Sequence, residues 1–261
     1  MPIITLTSDW GSSDHYSGMV KGSILSRIPD ANIIDITHNI PPFDLNSASF
    51  ILRNVIHTFP KDTIHIFDIN SDASIEMPHT VVVYKGQYFI GADNGLFSLI
   101  FDSDPEEAYE IDMVQDSDSF TFSACDIFIK IAKHIVDGKK LSLVGPPRKE
   151  LTKKIPLRPV TSENMIKGHI IYIDRYENAF TNITKSLFNQ VGKKRPFTIS
   201  FASNRHQVKA IKDSYKDPTQ GNILALFSYT GHLQIAMSNG NAAGLLGFRV
   251  SHTVMVEFHD L

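Results

Sequence analysis

Three stretches decide the fold: Ile3-Ile4-Thr5-Leu6-Thr7-Ser8-Asp9, Ala31-Asn32-Ile33-Ile34-Asp35-Ile36-Thr37-His38-Asn39 and Thr63-Ile64-His65-Ile66-Phe67-Asp68-Ile69-Asn70. Each is a short apolar run that stops on polar residues, the pattern of a strand buried in a parallel sheet. The segments between them read as helices. His15 to Arg27 carries Met19, Val20, Ile24 and Leu25 at helical spacing, and Leu45 to Phe59 has Asp44 to cap it and Pro60 to stop it. The resulting β-α-β-α-β rhythm predicts an α/β, doubly wound, mostly parallel sheet.

Past residue 79 the rhythm changes. Thr80–Tyr84 and Gln87–Gly91 flank Lys85-Gly86 and predict a hairpin. Phe122–Val136 reads as one helix ending at Asp137-Gly138, and residues 146–165 are rich in Pro, Lys and Arg without periodicity. A domain boundary is expected there, giving an N-terminal α/β domain over 1–155 and a C-terminal β-domain, a small barrel or a sandwich, over 165–261. The strand candidates in the second half are Lys167–Ile173, Pro196–Phe201, His206–Ile211, Ile223–Phe227, Leu233–Met237 and Thr253–Phe258.

Composition narrows the function. At 42% apolar and 20% charged residues the chain is ordinary globular protein, and a net charge of −3 without a basic stripe argues against nucleic acid as a partner. Cys125 is the only cysteine, which fits a reducing compartment. The N-terminus has no signal-peptide pattern, and no apolar run approaches a membrane span, so a soluble cytoplasmic protein is expected. The eleven histidines show no metal-binding spacing. Gly11, Gly18 and Gly22 do not form a dinucleotide loop, and Ser228 lacks the glycines of a nucleophile elbow.

Ligands of open α/β sheets bind beyond the carboxyl ends of the strands. Asp9 and Asp68 stand at two such ends, and the pair favours a site over helix or turn capping. Asp93-Asn94-Gly95-Leu96 reads by itself as a tight turn, and the polar residues of Asp174–Asn178 and Thr181–Thr184 as a turn after a strand. Asn182-Ile183-Thr184 is also a glycosylation sequon, which has meaning only in a secreted chain.

Several segments together resemble a known family. They are Thr7-Ser8-Asp9-Trp10-Gly11 with Gly18-Met19-Val20-Lys21-Gly22, Asp35 through Asp44, Gly91-Ala92-Asp93-Asn94-Gly95-Leu96, Thr121-Phe122 with Asp126-Ile127-Phe128, Asp174 through Asn178 with Thr181-Asn182-Ile183, and Gly231-His232-Leu233-Gln234-Ile235-Ala236. In this order they resemble the S-adenosylmethionine hydroxide adenosyltransferases, relatives of the fluorinase and chlorinase. The resemblance implies an α/β domain followed by a β-barrel, and a homotrimer with sites at subunit interfaces. It also implies a nucleoside substrate, S-adenosylmethionine, and no separate cofactor. Carried over, Asp9 would hold the ribose hydroxyls and Phe43 would pack near the sugar. Asn178 would read adenine, Tyr215 would stack on it, and Asn239 would lie beside its edge. Asp174 would hold the methionine ammonium, aided by Ser228, Tyr229 and Thr230.

The catalytic set departs from the family. Asp68 matches the hydrolase Asp, but Ile69 through Pro78 contains no arginine, and Ser123 stands near the place of the family histidine. The halogenase branch carries a tyrosine in place of Asp68. His79 is expected as an exposed residue between loop and strand. The implied activity is water-dependent cleavage of S-adenosylmethionine to adenosine and methionine, slowed by the incomplete set. A catalytically silent adenosyl-binding protein is the alternative, and a purely structural oligomer would bind no nucleoside.

Overall fold

The computed structural model describes residues 1–113, 122–201, 206–216 and 219–260. Thr121, one residue of the resemblance, lies outside them. The chain divides into two compact units, Met1–Ile155 and Pro156–Leu261. Among the described residues, no helix is long and apolar enough to cross a membrane.

The first unit is the expected α/β layer structure. Its strands are β1 (Ile3–Ser8), β2 (Asn32–Thr37), β3 (Ile64–Asp68), β4 (His79–Tyr84), β5 (Gln87–Ala92) and β6 (Glu107–Glu110). Its helices are α1 (Tyr16–Arg27), α2 (Leu45–Val55), α3 (Leu96–Ile100) and α4 (Ile127–Val136). The sheet order is β2-β1-β3-β5-β4-β6, with β4 antiparallel to both of its neighbours. Lys85 and Gly86 both take positive φ (51° and 72°), the turn that matches the twist of a two-residue hairpin. Successive strand residues face opposite sides, so each strand feeds two cores. Ile66, Val81 and Ile90 pack with α1 and α4 on one side. Phe67, Val82 and Phe89 pack with α2 and α3 on the other.

Two helix boundaries differ from the sequence expectation. α2 ends at Val55 and a 3₁₀ turn, Ile56–Thr58, completes the segment. Its start is as expected: the Asp44 carboxylate accepts the Asn46 and Ser47 amides at 3.0 and 3.1 Å. The expected helix over 122–136 is a 3₁₀ turn, Ser123–Cys125, followed by α4. Asp126 breaks it, at φ −128° and ψ −77°. Side chains of α1 hold this break, with Ser23 Oγ donating to the Cys125 carbonyl at 2.9 Å and Arg27 Nη1 to that of Asp126 at 3.3 Å.

The second unit is an antiparallel, nearly closed barrel. Its strands are β7 (Val160–Thr161), β8 (Met165–Ile173), β9 (Ala179–Thr184), β10 (Phe197–Phe201), β11 (His206–Val208), β12 (Ile223–Phe227), β13 (His232–Met237) and β14 (Thr253–Phe258), with the short helices α5 (Lys185–Gly192) and α6 (Ala242–Leu246). The order is β11-β10-β14-β8-β9-β13-β12, with β7 beside β8. The strand expected over 206–211 stops at Val208. Ile211 then bridges Ala225 of β12 and brings the two sheet edges together. β9 falls where polar residues suggested a turn. Its inward positions Ala179, Thr181 and Ile183 are buried, so Thr181 enters the core as a hydrogen-bonded residue. Asn182 Oδ1 accepts the His169 amide at 2.8 Å and its Nδ2 donates to the Leu157 carbonyl at 2.8 Å, so the sequon asparagine braces the barrel wall.

Candidate active site

The sheet order reverses between β1 and β3, which lie side by side with Ser8 opposite Asp68. A crevice forms at such a switch point because the chain leaves its two central strands in opposite directions. Asp68, the last residue of β3, is only 4% exposed. Trp10 Nε1 donates to its Oδ2 at 3.0 Å, and the Ser71 hydroxyl donates to its Oδ1. Burial pushes this carboxyl up to about 7. The Trp10 hydrogen bond opposes the rise, and the nearby Asp9 and Asp72 charges add to it. Each carboxylate oxygen has two lone pairs, so both keep acceptor capacity.

Asp9 follows β1, and its Oδ2 accepts the Phe43 amide at 2.8 Å. Phe43 has a left-handed backbone, φ 66°, rare for a bulky residue, and its side chain is 70% exposed. The Asp9 carboxylate therefore holds an aromatic ring out at the rim. Behind Trp10, His38 stacks on the indole with centroids 5.4 Å apart. His38 Nδ1 meets Ser8 Oγ at 2.6 Å, and its Nε2 lies 3.1 Å from Asp35 Oδ1. The residue types are those of a hydrolytic triad, but Ser8 is completely buried and no substrate carbonyl could reach it. The group acts as packing behind Trp10.

The loop between β3 and β4 is held by side chains. Asn94 Nδ2 donates to the Ile69 and Asn70 carbonyls, both at 2.9 Å, and His79 Nε2 meets the Ser71 carbonyl at 2.9 Å. The Asp93 amide donates to the Pro78 carbonyl at 2.9 Å. Asp93 itself is fully buried, with its carboxylate accepting from Arg148 Nε at 2.8 Å and the Thr152 amide at 2.9 Å. Asp93-Asn94-Gly95 is thus a turn, with Gly95 at φ 98°, and also the brace of the Asp68 loop. His79 is half-buried, edge-on to Phe128, rather than exposed, because its ring is the donor that ties the loop down. Burial holds its imidazole below the usual histidine range.

The second unit carries a separate cluster. Asp174 and Asn178 lie in the turn between β8 and β9. Asp174 Oδ1 accepts the Tyr176 and Asn178 amides, each at 2.9 Å, and its Oδ2 accepts Asn178 Nδ2 at 3.1 Å. Asn178 is buried, and its amide orientation is fixed by Asp174. The Tyr215 hydroxyl donates to Gln234 Oε1 at 2.7 Å, which leaves its ring half exposed. Asn239 is exposed in the turn after β13, at φ 48°. Ala179 pairs with Ile235, so this turn and the Asp174–Asn178 turn share one end of the barrel. Ser228, Tyr229 and Thr230 form the β12–β13 turn, where Ser228 Oγ and Thr230 Oγ1 are 2.9 Å apart and the Tyr229 side chain is fully exposed. His232 pairs with Thr184, which places that turn at the opposite end of β9 and β13, roughly 17 Å of strand from Asp174.

Sequence reading missed Trp10, Ser71 and Gln234 as site residues. Trp10 carried a signal, as the only tryptophan, directly after Asp9. Among the described residues, no three His, Cys, Asp or Glu side chains are grouped to hold a metal ion.

The sequence and fold are those of a known enzyme family. Residues 4–145 match the SAM hydroxide adenosyltransferase N-terminal domain and residues 168–255 match the C-terminal domain, so the chain belongs to that family. It is 30% identical to the (R)-S-adenosyl-L-methionine hydrolase of Methanocaldococcus jannaschii over 94% of this chain and 92% of that one. The fluorinase of Nocardia brasiliensis is 22% identical over 73% of this chain and 74% of its own length. A solved structure of an uncharacterized conserved protein from Thermotoga maritima superposes with a TM-score of 0.87 at 28% identity, covering 97% of this chain and 99% of that one.

Proposed function

We propose that this protein cleaves S-adenosylmethionine with water to adenosine and methionine, and that Asp68 activates the water. The observation that carries the reading is a buried carboxylate at the switch point, held on both oxygens and pushed up to about 7. In the reaction the water oxygen attacks C5′ of the ribose and the C5′–S bond breaks. Its electron pair returns to sulfur, so the sulfonium leaves as neutral methionine, and the water proton passes to Asp68. The leaving group needs no acid. A base whose pKa sits near neutrality is better matched to taking a proton than an ordinary carboxylate near 4.

Asp9 holds the ribose hydroxyls through the lone pairs that Phe43 leaves free, and the Phe43 ring lies near the sugar. Asn178 reads adenine with its carbonyl and its second Nδ2–H, the first N–H being donated to Asp174. Tyr215 stacks on the base, and Asn239, at the same barrel end as Asn178, lies beside the adenine edge. Asp174 keeps acceptor capacity for the methionine ammonium. Ser228, Tyr229 and Thr230, which the resemblance sets beside Asp174 on the ammonium, lie at the far end of the strands from Asp174 in the same chain.

Chromatography of the purified protein incubated with S-adenosylmethionine tests the reading. Adenosine and methionine should accumulate in equal amounts, well above an Asp68→Asn control. A silent adenosyl binder, favoured by the absence of arginine between Ile69 and Pro78, gives binding in calorimetry and no adenosine.

The proposal includes a cytoplasmic homotrimer with the nucleoside held where subunits meet. A ligand that bridges subunits stabilises the assembly by mass action, so saturating adenosine should shift the oligomer to lower protein concentrations in light scattering. A monomer that binds adenosine with full affinity contradicts this part of the proposal.

A further inference from the structure

Three consecutive carbonyls, those of Ile69, Asn70 and Ser71, each accept a hydrogen bond from a side chain outside their loop. Asn94 supplies the first two and His79 the third. This follows directly on Asp68 and precedes the exposed residues 72–76. Backbone carbonyls find partners in backbone, side chains or water, and here three in a row are held by side chains. Clamping every carbonyl of the loop's first turn fixes one thing above all, the position of the Ser71 side chain, whose hydroxyl sits on Asp68 Oδ1.

His79 can hold that position rigidly. It is the first residue of β4, paired with Ala92 of β5, and its own carbonyl accepts the Ile111 amide at 2.8 Å. Its ring packs edge-on against Phe128, with centroids 4.8 Å apart, a residue with no exposed surface. The contact to Ser71 requires Nε2 to carry the proton, because a carbonyl can only accept.

We infer that Ser71 and His79 are positioning residues for Asp68: His79 Nε2–H pins the Ser71 carbonyl, and the Ser71 hydroxyl orients the Asp68 carboxylate toward the attacking water. The inference rests on the hydrolase reading above. It gives this chain an orienting pair in the loop where the resemblance called for an arginine. Both residues act through Asp68 in this inference, so the effect belongs in the chemical step rather than in binding.

The test is steady-state hydrolysis of S-adenosylmethionine by full-length wild type, Ser71→Ala, His79→Ala, His79→Gln and the Ser71→Ala/His79→Ala double variant. Misplacing a reacting group by about 1 Å costs up to roughly 100-fold, so kcat should fall about 10- to 100-fold in both alanine variants with KM nearly unchanged. The Ser71 hydrogen bond favours the charged carboxylate, so its loss should also move the rising limb of the pH–rate profile to higher pH. Asp9 and Asp72, the charges facing Asp68, stay in place in every variant. Gln can present its amide nitrogen near the place of Nε2, so His79→Gln should recover most of kcat. The double variant should be no slower than Ser71→Ala, because the two residues act in series. Unchanged kcat and pH limb in His79→Ala, with Asp68→Asn inactive, overturn the inference and leave the hydrolase reading standing. A rise in KM alone, or no recovery in a His79→Gln variant that melts like wild type, also overturns it. Absence of turnover in the wild type removes both.

Discussion

Asp68→Asn abolishes most of the hydrolysis, by roughly 10²–10⁴-fold, the usual worth of a positioned proton acceptor. The amide keeps the size of the side chain and can still meet Trp10 or Ser71, so the loss reports the missing base rather than a collapsed site. The wild-type rate should in turn follow the ionised fraction of Asp68. Burial, aided by Asp9 and Asp72, pushes this carboxyl up to about 7, and only its charged form accepts a proton. The rate therefore rises with pH, about tenfold per unit below 7, and levels off above it. Initial rates between pH 5 and 9 check this. A flat profile from 5 to 7, or an active Asp68→Asn, refutes the role.

Asp93→Ala is the second large effect, on stability. Asp93 is fully buried, and its carboxylate is shared by Arg148 and the Thr152 amide. Removing the carboxylate takes the acceptor from the Thr152 amide and from Arg148, which is 22% exposed and also lies 3.8 Å from Glu110, so the loss is about 2–4 kcal/mol rather than that of a fully buried pair. For an ordinary domain this is a sizeable part of the total, so the melting temperature should drop by roughly 5–15 °C. Asp93→Asn, which keeps one acceptor, should lose much less. The damage also reaches the reaction, since Asn94 and the Asp93 amide hold the two ends of the Asp68 loop. Calorimetric melting that finds Asp93→Ala as stable as wild type would contradict this account.

The fold was legible where burial alone dictates sequence. Strands β1 and β3 are buried on both faces and appear as apolar runs, β2 keeps an apolar run although it is the half-exposed edge strand, and the carboxylates at the ends of β1 and β3 are placed by topology. The second unit was legible as short strands between turns, which fit a barrel or a sandwich alike. β9 was not, because Thr181 and Asn182 are polar residues satisfied by partners distant in sequence. The break at Asp126 was hidden for a similar reason, since Ser23 and Arg27 that hold it lie about a hundred residues earlier. Among the candidate site residues, Asp9 and Asp68 were legible as carboxylates at strand ends, and Asn178 only through the family resemblance. The clamp made by His79, Asn94 and Ser71 was not, because it depends on where a ten-residue loop returns in space. A tetrapeptide such as Asp93-Asn94-Gly95-Leu96 carries the mark of a turn and no mark of what its side chains reach.

The barrel has a further consequence for how the chain is made. β14 lies between β10 and β8, with Met165 of β8 paired to Glu257 of β14. β8 therefore emerges from the ribosome about 90 residues before its partner. At roughly 5–20 residues per second, one edge of β8 stays open for about 5 to 18 s, while the hairpin with β9 covers the other. Every strand of the first unit lies before Pro156, so that unit can be complete while the barrel still waits. Nascent barrel segments, with Ile166 and Ile170 uncovered, are thus the stage at which this protein most needs protection from mispairing.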